Sequence, residues 1–197
     1  RYSTDFIPEG RDTFYNQAES YSLIQLGTDF RYIHFLSLFG LYPHSHNMGG
    51  LFLLSSFTLV TDLNSNLSII CICIILGVLS SFNMFIFSRL IYNNFSKAYV
   101  SALLFSLCIS LISFTSVNYS YRGPFVVLLP VFFWFLFKSY ESFGKRYSYI
   151  VLSALLGLIL ISIHRMSFFL IPVFILFLFF IAFNNLTKRK KILFGSD

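Results

Sequence analysis

The sequence predicts an all-α fold: a polytopic transmembrane helix bundle of about five spans with an N-terminal extracytoplasmic loop of amphipathic helices. Three observations predict it. Hydrophobic residues make up 56% of the chain and charged residues 11%, less than half the charged share usual in soluble domains. With 27 Phe and 12 Tyr in 197 residues, too few polar groups remain to coat a globule, so the fitting solvent is lipid. The basic residues lie between apolar runs rather than along one polar face, so the net charge of +6 marks topology and not a nucleic-acid partner.

Residues 1–43 carry Asp5, Glu9, Asp12, Glu19 and Asp29 and are too polar to cross a bilayer. Asp12 reads as the N-cap of a helix running to about Leu26, with Gly27 as its stop. That helix mixes Phe14, Tyr15, Ala18, Leu23 and Leu26 with Asn, Gln, Glu and Ser, a pattern suited to a membrane surface or the side of a bundle. A second amphipathic stretch covers Phe30 to Phe39 and ends at Gly40 and Pro43. Residues 44–60, entered through Gly49-Gly50, are apolar but short for a core of ~30 Å at ~1.5 Å per residue. They read as an interfacial or re-entrant helix rather than a sixth span.

The spans fall at about Leu67–Tyr92, Ala98–Val117, Pro124–Phe137, Tyr147–Ile163 and Phe168–Phe183. Tyr140 and Phe143 can lengthen the third. Pro124 sits at a helix start, where its missing N–H is harmless, whereas Pro130 and Pro172 lie deeper and are expected to kink their helices. Asn83 reads as a helix–helix hydrogen bond. Cys71, Cys73 and Cys108 lie within apolar runs and read as small hydrophobes, with neither a disulfide nor a zinc site.

Lys and Arg fix the orientation. One set of ends holds Arg89, Lys97, Lys138, Lys145, Arg146, Lys188, Arg189, Lys190 and Lys191, and the other only Arg122 and Arg165. The heavier set belongs in the cytoplasm, so the acidic leader, 118–122 and 164–165 share the outer side. The organisation expected is an extracytoplasmic loop at 1–66, a bundle at 67–187 and a basic cytoplasmic tail at 188–197. Beginning at Arg1 and not Met, the chain reads as part of a longer protein of the cell membrane.

Polar groups kept near the bilayer surface are the candidate site. Asp12 is a candidate catalytic or metal-binding carboxylate as well as a cap, and Asp29 reads first as a cap. His44 and His46 form an H-x-H pair, a weak metal motif without a third ligand. Arg122 is either a phosphate-binding fork or a snorkelling interfacial cation. His164 and Arg165 occupy the shortest outer turn, either solvated or held at the bundle mouth. Carboxylates on one loop and Arg/His on neighbouring helix ends suit a phosphate-bearing substrate with a nearby hydroxyl or amine acceptor.

The layout resembles the GT-C superfamily of membrane glycosyltransferases, which transfer sugars from polyprenyl-phosphate carriers. The resemblance rests on Gly10-Arg-Asp12-Thr-Phe-Tyr15, on Tyr42-Pro43 leading to the apolar 51–60 and Thr61-Asp62-Leu63, and on Ser88-Arg89-Leu90 with Asn94-Phe95-Ser96. His164-Arg-Met-Ser167 resembles the His-x-x-Ser/Thr turn of archaeal relatives, while His44 stands where the family has a second proline. The resemblance implies a polyprenyl-phosphate-linked sugar as donor and transfer to a glycan, lipid or protein on the outer face. It implies catalytic roles for Asp12 and His164, substrate contacts from Arg122, Arg165, His46 and Tyr42, and a divalent cation (Mg or Mn) on Asp12 with Glu9 or Asp29. The chain is also similar to exopolysaccharide and O-antigen-type polymerases, with their outer Gly-x-Asp loop, outer Arg and late His. A transporter or a non-enzymatic scaffold is the reading from another class. A transporter calls for repeats and midplane polar groups, and Asn83 with scattered Ser is all that lies at depth.

Overall fold

The computed structural model describes residues 11–27, 48–115, 119–142 and 144–194, and among these the chain is helical without strands. In order come α1 (Arg11–Leu26), α2 (Gly49–Thr61), α3 (Ser65–Tyr92), α4 (Phe95–Ser106), α5 (Ile109–Thr115), α6 (Arg122–Glu141), α7 (Arg146–Ile163), a 3-10 segment (Arg165–Phe169) and α8 (Leu170–Phe194). Four segments are long and apolar enough to cross a membrane: α3, α6, α7, and residues 165–183, which join the 3-10 segment to α8. A fifth arises if α4 and α5 are one broken span, bent by 65°. The chain is a helical membrane protein.

Caps and packing explain the boundaries. Asn64 accepts the Leu67 N–H at 2.9 Å to open α3, and Asn93, left-handed at φ 46°, closes it by donating its N–H to the Arg89 carbonyl at 3.1 Å. Near the α1 end, α2, α3, α5 and α6 bury Leu54, Ile69, Ile72, Leu76, Leu111, Tyr119 and Val127 together. Farther along, α6, α7 and α8 close over Phe132, Leu136, Leu160 and Leu170. The buried Asn83 donates to the Val127 carbonyl at 2.8 Å, the expected tie from α3 to α6. Val78, Leu104, Leu176 and Phe179 face outward, as lipid-solvated residues do.

Several expectations are refined. Asp12 is the second residue of α1, in its first turn, and not the residue before the helix; there its negative charge faces the positive end of the helix dipole. Gly27 does stop α1, at φ +66° with its N–H on the Leu23 carbonyl at 3.1 Å. The helix in 44–60 is α2, of 13 residues, roughly 20 Å long at 1.5 Å per residue and short of a full crossing. The 98–117 span breaks at Leu107-Cys108. Pro130 lies inside α6 as expected, but Pro172 is the third residue of α8, where a helix has no use for an N–H. Residues 188–194, expected in a tail, continue α8. The second amphipathic stretch, Phe30 to Phe39, lies outside the described residues.

Candidate functional site

The first-described helix is held to the bundle by its polar face. Thr13, Asn16, Glu19, Ser20 and Ser22 are buried, while Phe14, Tyr15 and Tyr21 point outward. In water this arrangement would be inverted; beside lipid it is the stable one, because the aromatic face meets an apolar solvent and the polar face finds hydrogen bonds. Those bonds are specific. The Tyr119 N–H donates to Thr13 Oγ1 at 2.9 Å, and Asn16 Nδ2 donates to the Tyr119 carbonyl at 3.1 Å, so both backbone groups of one residue are read by α1. Gln17 Nε2 donates to Asn66 Oδ1 at 2.7 Å, and the Ser20 and Ser55 hydroxyls pair at 3.0 Å.

Tyr119 is the pivot. Its ring is fully buried, its hydroxyl donates to the Gly50 carbonyl at 2.8 Å, and the Tyr121 ring stands edge-on to it at 6.1 Å. Burial, with a smaller push from Cys73, raises the Tyr119 phenol well above its ordinary range, so it stays a donor. Gly50 lies so close to the Tyr121 ring that a Cβ there would run into it, and a Cβ at Gly49 would stand 2.7 Å from the Ser162 carbonyl. These two glycines let α2 slide between the 119–121 segment and the end of α7.

The far wall is the turn between α7 and α8. His164 ends α7 in an extended conformation, and its Nδ1 accepts the Met166 N–H at 3.2 Å. Its ring stacks on Phe125 with centroids 5.8 Å apart. Ser167 locks the turn, donating its N–H to the His164 carbonyl at 2.9 Å and its hydroxyl to the Leu160 carbonyl at 2.6 Å. With Nδ1 occupied as an acceptor, the neutral imidazole carries its proton on Nε2. Burial, then Arg122, then Arg165 lower the His164 pKa from its ordinary value. Near neutral pH the ring is therefore an uncharged N–H donor between two guanidiniums.

These walls enclose a cavity of about 220 Å³ lined by Asp12, Tyr15, Asn16, Ser120, Tyr121, Arg122, Ile163, His164 and Arg165. Asp12 is exposed on one side, with Ser120 Oγ at 3.4 Å from its Oδ2. Arg122 opens α6 and is exposed, as is Arg165. Four sequence candidates from three distant segments, Asp12, Arg122, His164 and Arg165, thus meet in one space. Tyr15, Asn16, Ser120 and Tyr121 also line it and were not singled out as site residues, although they flank Asp12 and Arg122 in the chain. Glu9, Asp29, Tyr42, His44 and His46 lie outside the described residues.

Among the described residues no three of His, Cys, Asp or Glu gather as a metal site. Glu9 and Asp29, expected to share a cation with Asp12, lie outside the described residues, and the described lining sets one carboxylate and one imidazole beside two guanidiniums. What the lining fits is anionic oxygen held by Arg122, Arg165 and the His164 Nε2–H, beside a carboxylate able to accept a proton. A second hollow, about 270 Å³ and almost wholly apolar, starts one turn from His164 and is lined by Ile161, Leu170, Gly157, Phe132 and Phe174. Gly157 opens it; a Cβ there would stand 3.3 Å from the Phe132 ring.

Fold and cavity together define a helical membrane protein with an anion-suited polar cavity at one end of its spans. Comparison with family models, with curated proteins and with solved structures gave no match.

Proposed function

We propose that this is a membrane glycosyltransferase of the GT-C kind, acting on the outer face of the cell membrane with a polyprenyl-phosphate-linked sugar as donor. The observation that carries this reading is the convergence of Asp12, Arg122, His164 and Arg165 on one cavity. The apolar hollow beside it supports an amphiphilic ligand, with a phosphate in the polar cavity and a hydrocarbon tail against α7 and α8.

In this reading an acceptor hydroxyl attacks the anomeric carbon of the donor. The bond between that carbon and the phosphate oxygen breaks, and its electron pair leaves with the polyprenyl phosphate. Asp12 takes the acceptor's proton. Arg122, Arg165 and the His164 Nε2–H hold the charge that grows on the departing phosphate.

The test is a transfer assay with polyprenyl-phosphate sugars and the full-length protein. Asp12→Asn keeps the size and the helical position of the side chain but removes the base. Transfer is expected to fall about 10²- to 10⁴-fold while membrane insertion and folding persist. Transfer at the unsubstituted rate would reject Asp12 as the base. Absence of transfer with every polyprenyl-phosphate sugar, by protein shown to be folded, would reject the class.

A further inference from the structure

At the other end of α6 a second polar cavity, about 480 Å³, opens beside the last turns of α3 and α6. Its lining is of two kinds. Arg89, Asn93, Trp134 and Lys138 offer N–H donors, while Phe85, Ile86 and Leu90 form an apolar wall. Lys138 is already engaged, its Nζ 2.9 Å from Glu141 Oε2. Arg89 is exposed, and its guanidinium has no hydrogen bond or ion pair with the described residues. Trp134 is set edge-on against Tyr149 of α7 at 6.0 Å and 89°, which holds the indole in the cavity lining.

Cations in the last turn of a helix complement its dipole, and that alone accounts for Arg89 and Lys138 being there. It does not account for a cavity that joins an unengaged guanidinium, a wedged tryptophan and an apolar wall. That combination matches the boundary between headgroups and acyl chains, where Trp rings settle and Arg forks grip phosphate. Lys138 and Glu141 cancel, so the lining offers one net positive charge, equal and opposite to that of a single phosphate diester. Lys138 lies 16 residues along α6 from Arg122, about 24 Å at 1.5 Å per residue, so this cavity and the candidate active site face opposite leaflets.

We propose that this cavity binds the phosphate diester of an anionic phospholipid from the leaflet at the Lys/Arg-rich end. Arg89 holds the phosphate, and Trp134 with Phe85 and Leu90 packs on the glycerol and upper acyl carbons. The proposal is independent of the glycosyl-transfer reading.

Trp134 is the single tryptophan of the chain, so its fluorescence reports on this site. The chain, purified in a neutral detergent and freed of lipid, is titrated with short-chain phosphatidylglycerol. A saturable change in Trp134 emission is expected, with its midpoint raised about tenfold by Arg89→Gln, the loss of one charge-assisted hydrogen bond. Lys97→Gln removes an exposed cation from the same end and is expected to leave the midpoint in place. An unchanged midpoint in Arg89→Gln, or an equal shift in Lys97→Gln, would overturn the proposal in favour of diffuse attraction. The same saturable change from inorganic phosphate would overturn the lipid assignment, and no saturable change at all would remove the site.

Discussion

If α1 is what carries Asp12 into the cavity, then loosening α1 must expose it without unfolding the bundle. The sharpest perturbation is the pair Thr13→Val and Asn16→Ala, which removes both hydrogen bonds to the backbone of Tyr119, at 2.9 and 3.1 Å, and leaves Tyr119 itself in place. Each buried bond contributes about 1 kcal/mol net, and more where a buried backbone partner is stranded. The double variant therefore weakens α1 docking by at least ~2 kcal/mol, a roughly 30-fold rise in its undocked population. Hydrogen–deuterium exchange in micelles reads this directly: amides of 11–26 lose protection by about that factor, while those of α3 and α6 keep theirs. The two single variants should not be additive, because both bonds grip one residue. Unchanged protection of α1 in the double variant would show that it is held by something other than these contacts. A matching loss in α3 would show that α1 is integral to the bundle and not docked on it.

Two further outcomes follow from the same geometry. A histidine whose pKa is lowered on folding favours the neutral form, so the unfolded chain binds more protons below its ordinary value of 6.5. The stability that His164 contributes is thus full above pH 6.5 and is lost as pH falls below it. Melting temperatures between pH 7.5 and about 5 should drop more steeply in the unsubstituted protein than in His164→Gln, and parallel slopes would refute a His164 ring held neutral by its burial and by Arg122 and Arg165. Asn83→Leu removes the bond to the Val127 carbonyl and should cost about 0.6 to 1.7 kcal/mol in unfolding from mixed micelles, without altering the cavity that Asp12 lines; equal stability would mean that the bond has no net value in lipid.

The spans were legible because nothing competes with a long apolar run: α3 and α7 start and stop within three residues of where hydropathy and charge put them, and the last span starts within three, although α8 itself runs on to Phe194. The break between α4 and α5 was not, since no Gly or Pro marks Leu107-Cys108. Beyond the break, α5 packs closely on the start of α6, where a Cβ at Gly123 would stand 3.0 Å from the Phe114 carbonyl. Pro172 stands in the first turn of α8, not deep in a helix as expected, because a 3-10 segment takes up Arg165–Phe169 and moves the start of α8 closer to the proline. The orientation of α1 was open for a different reason. Its sequence has a polar and an aromatic face, and which one turns inward depends on the surrounding solvent, which pattern alone does not state.

The site was legible as a compartment rather than as a cavity. Charge asymmetry put Asp12, Arg122, His164 and Arg165 on one side, and the fold brings them to one cavity. The shaping residues were hidden because their roles are steric or backbone-mediated: Gly50 beside Tyr121, Tyr119 bonded to two helices, and Ser167 closing the His164 turn.

The short rise of α6 has a mechanical consequence. Arg122 and Lys138 both seek water or phosphate, yet only about 24 Å of helix separates them, against a hydrocarbon layer of ~30 Å. The bilayer must pinch around this helix, or its flanking cations must reach outward along their stems. Where the cations reach outward, the cavity that Arg122 lines lies recessed toward the acyl region, and a long-chain amphiphile would deliver its polar head by sliding sideways through the leaflet, without first climbing into the aqueous phase.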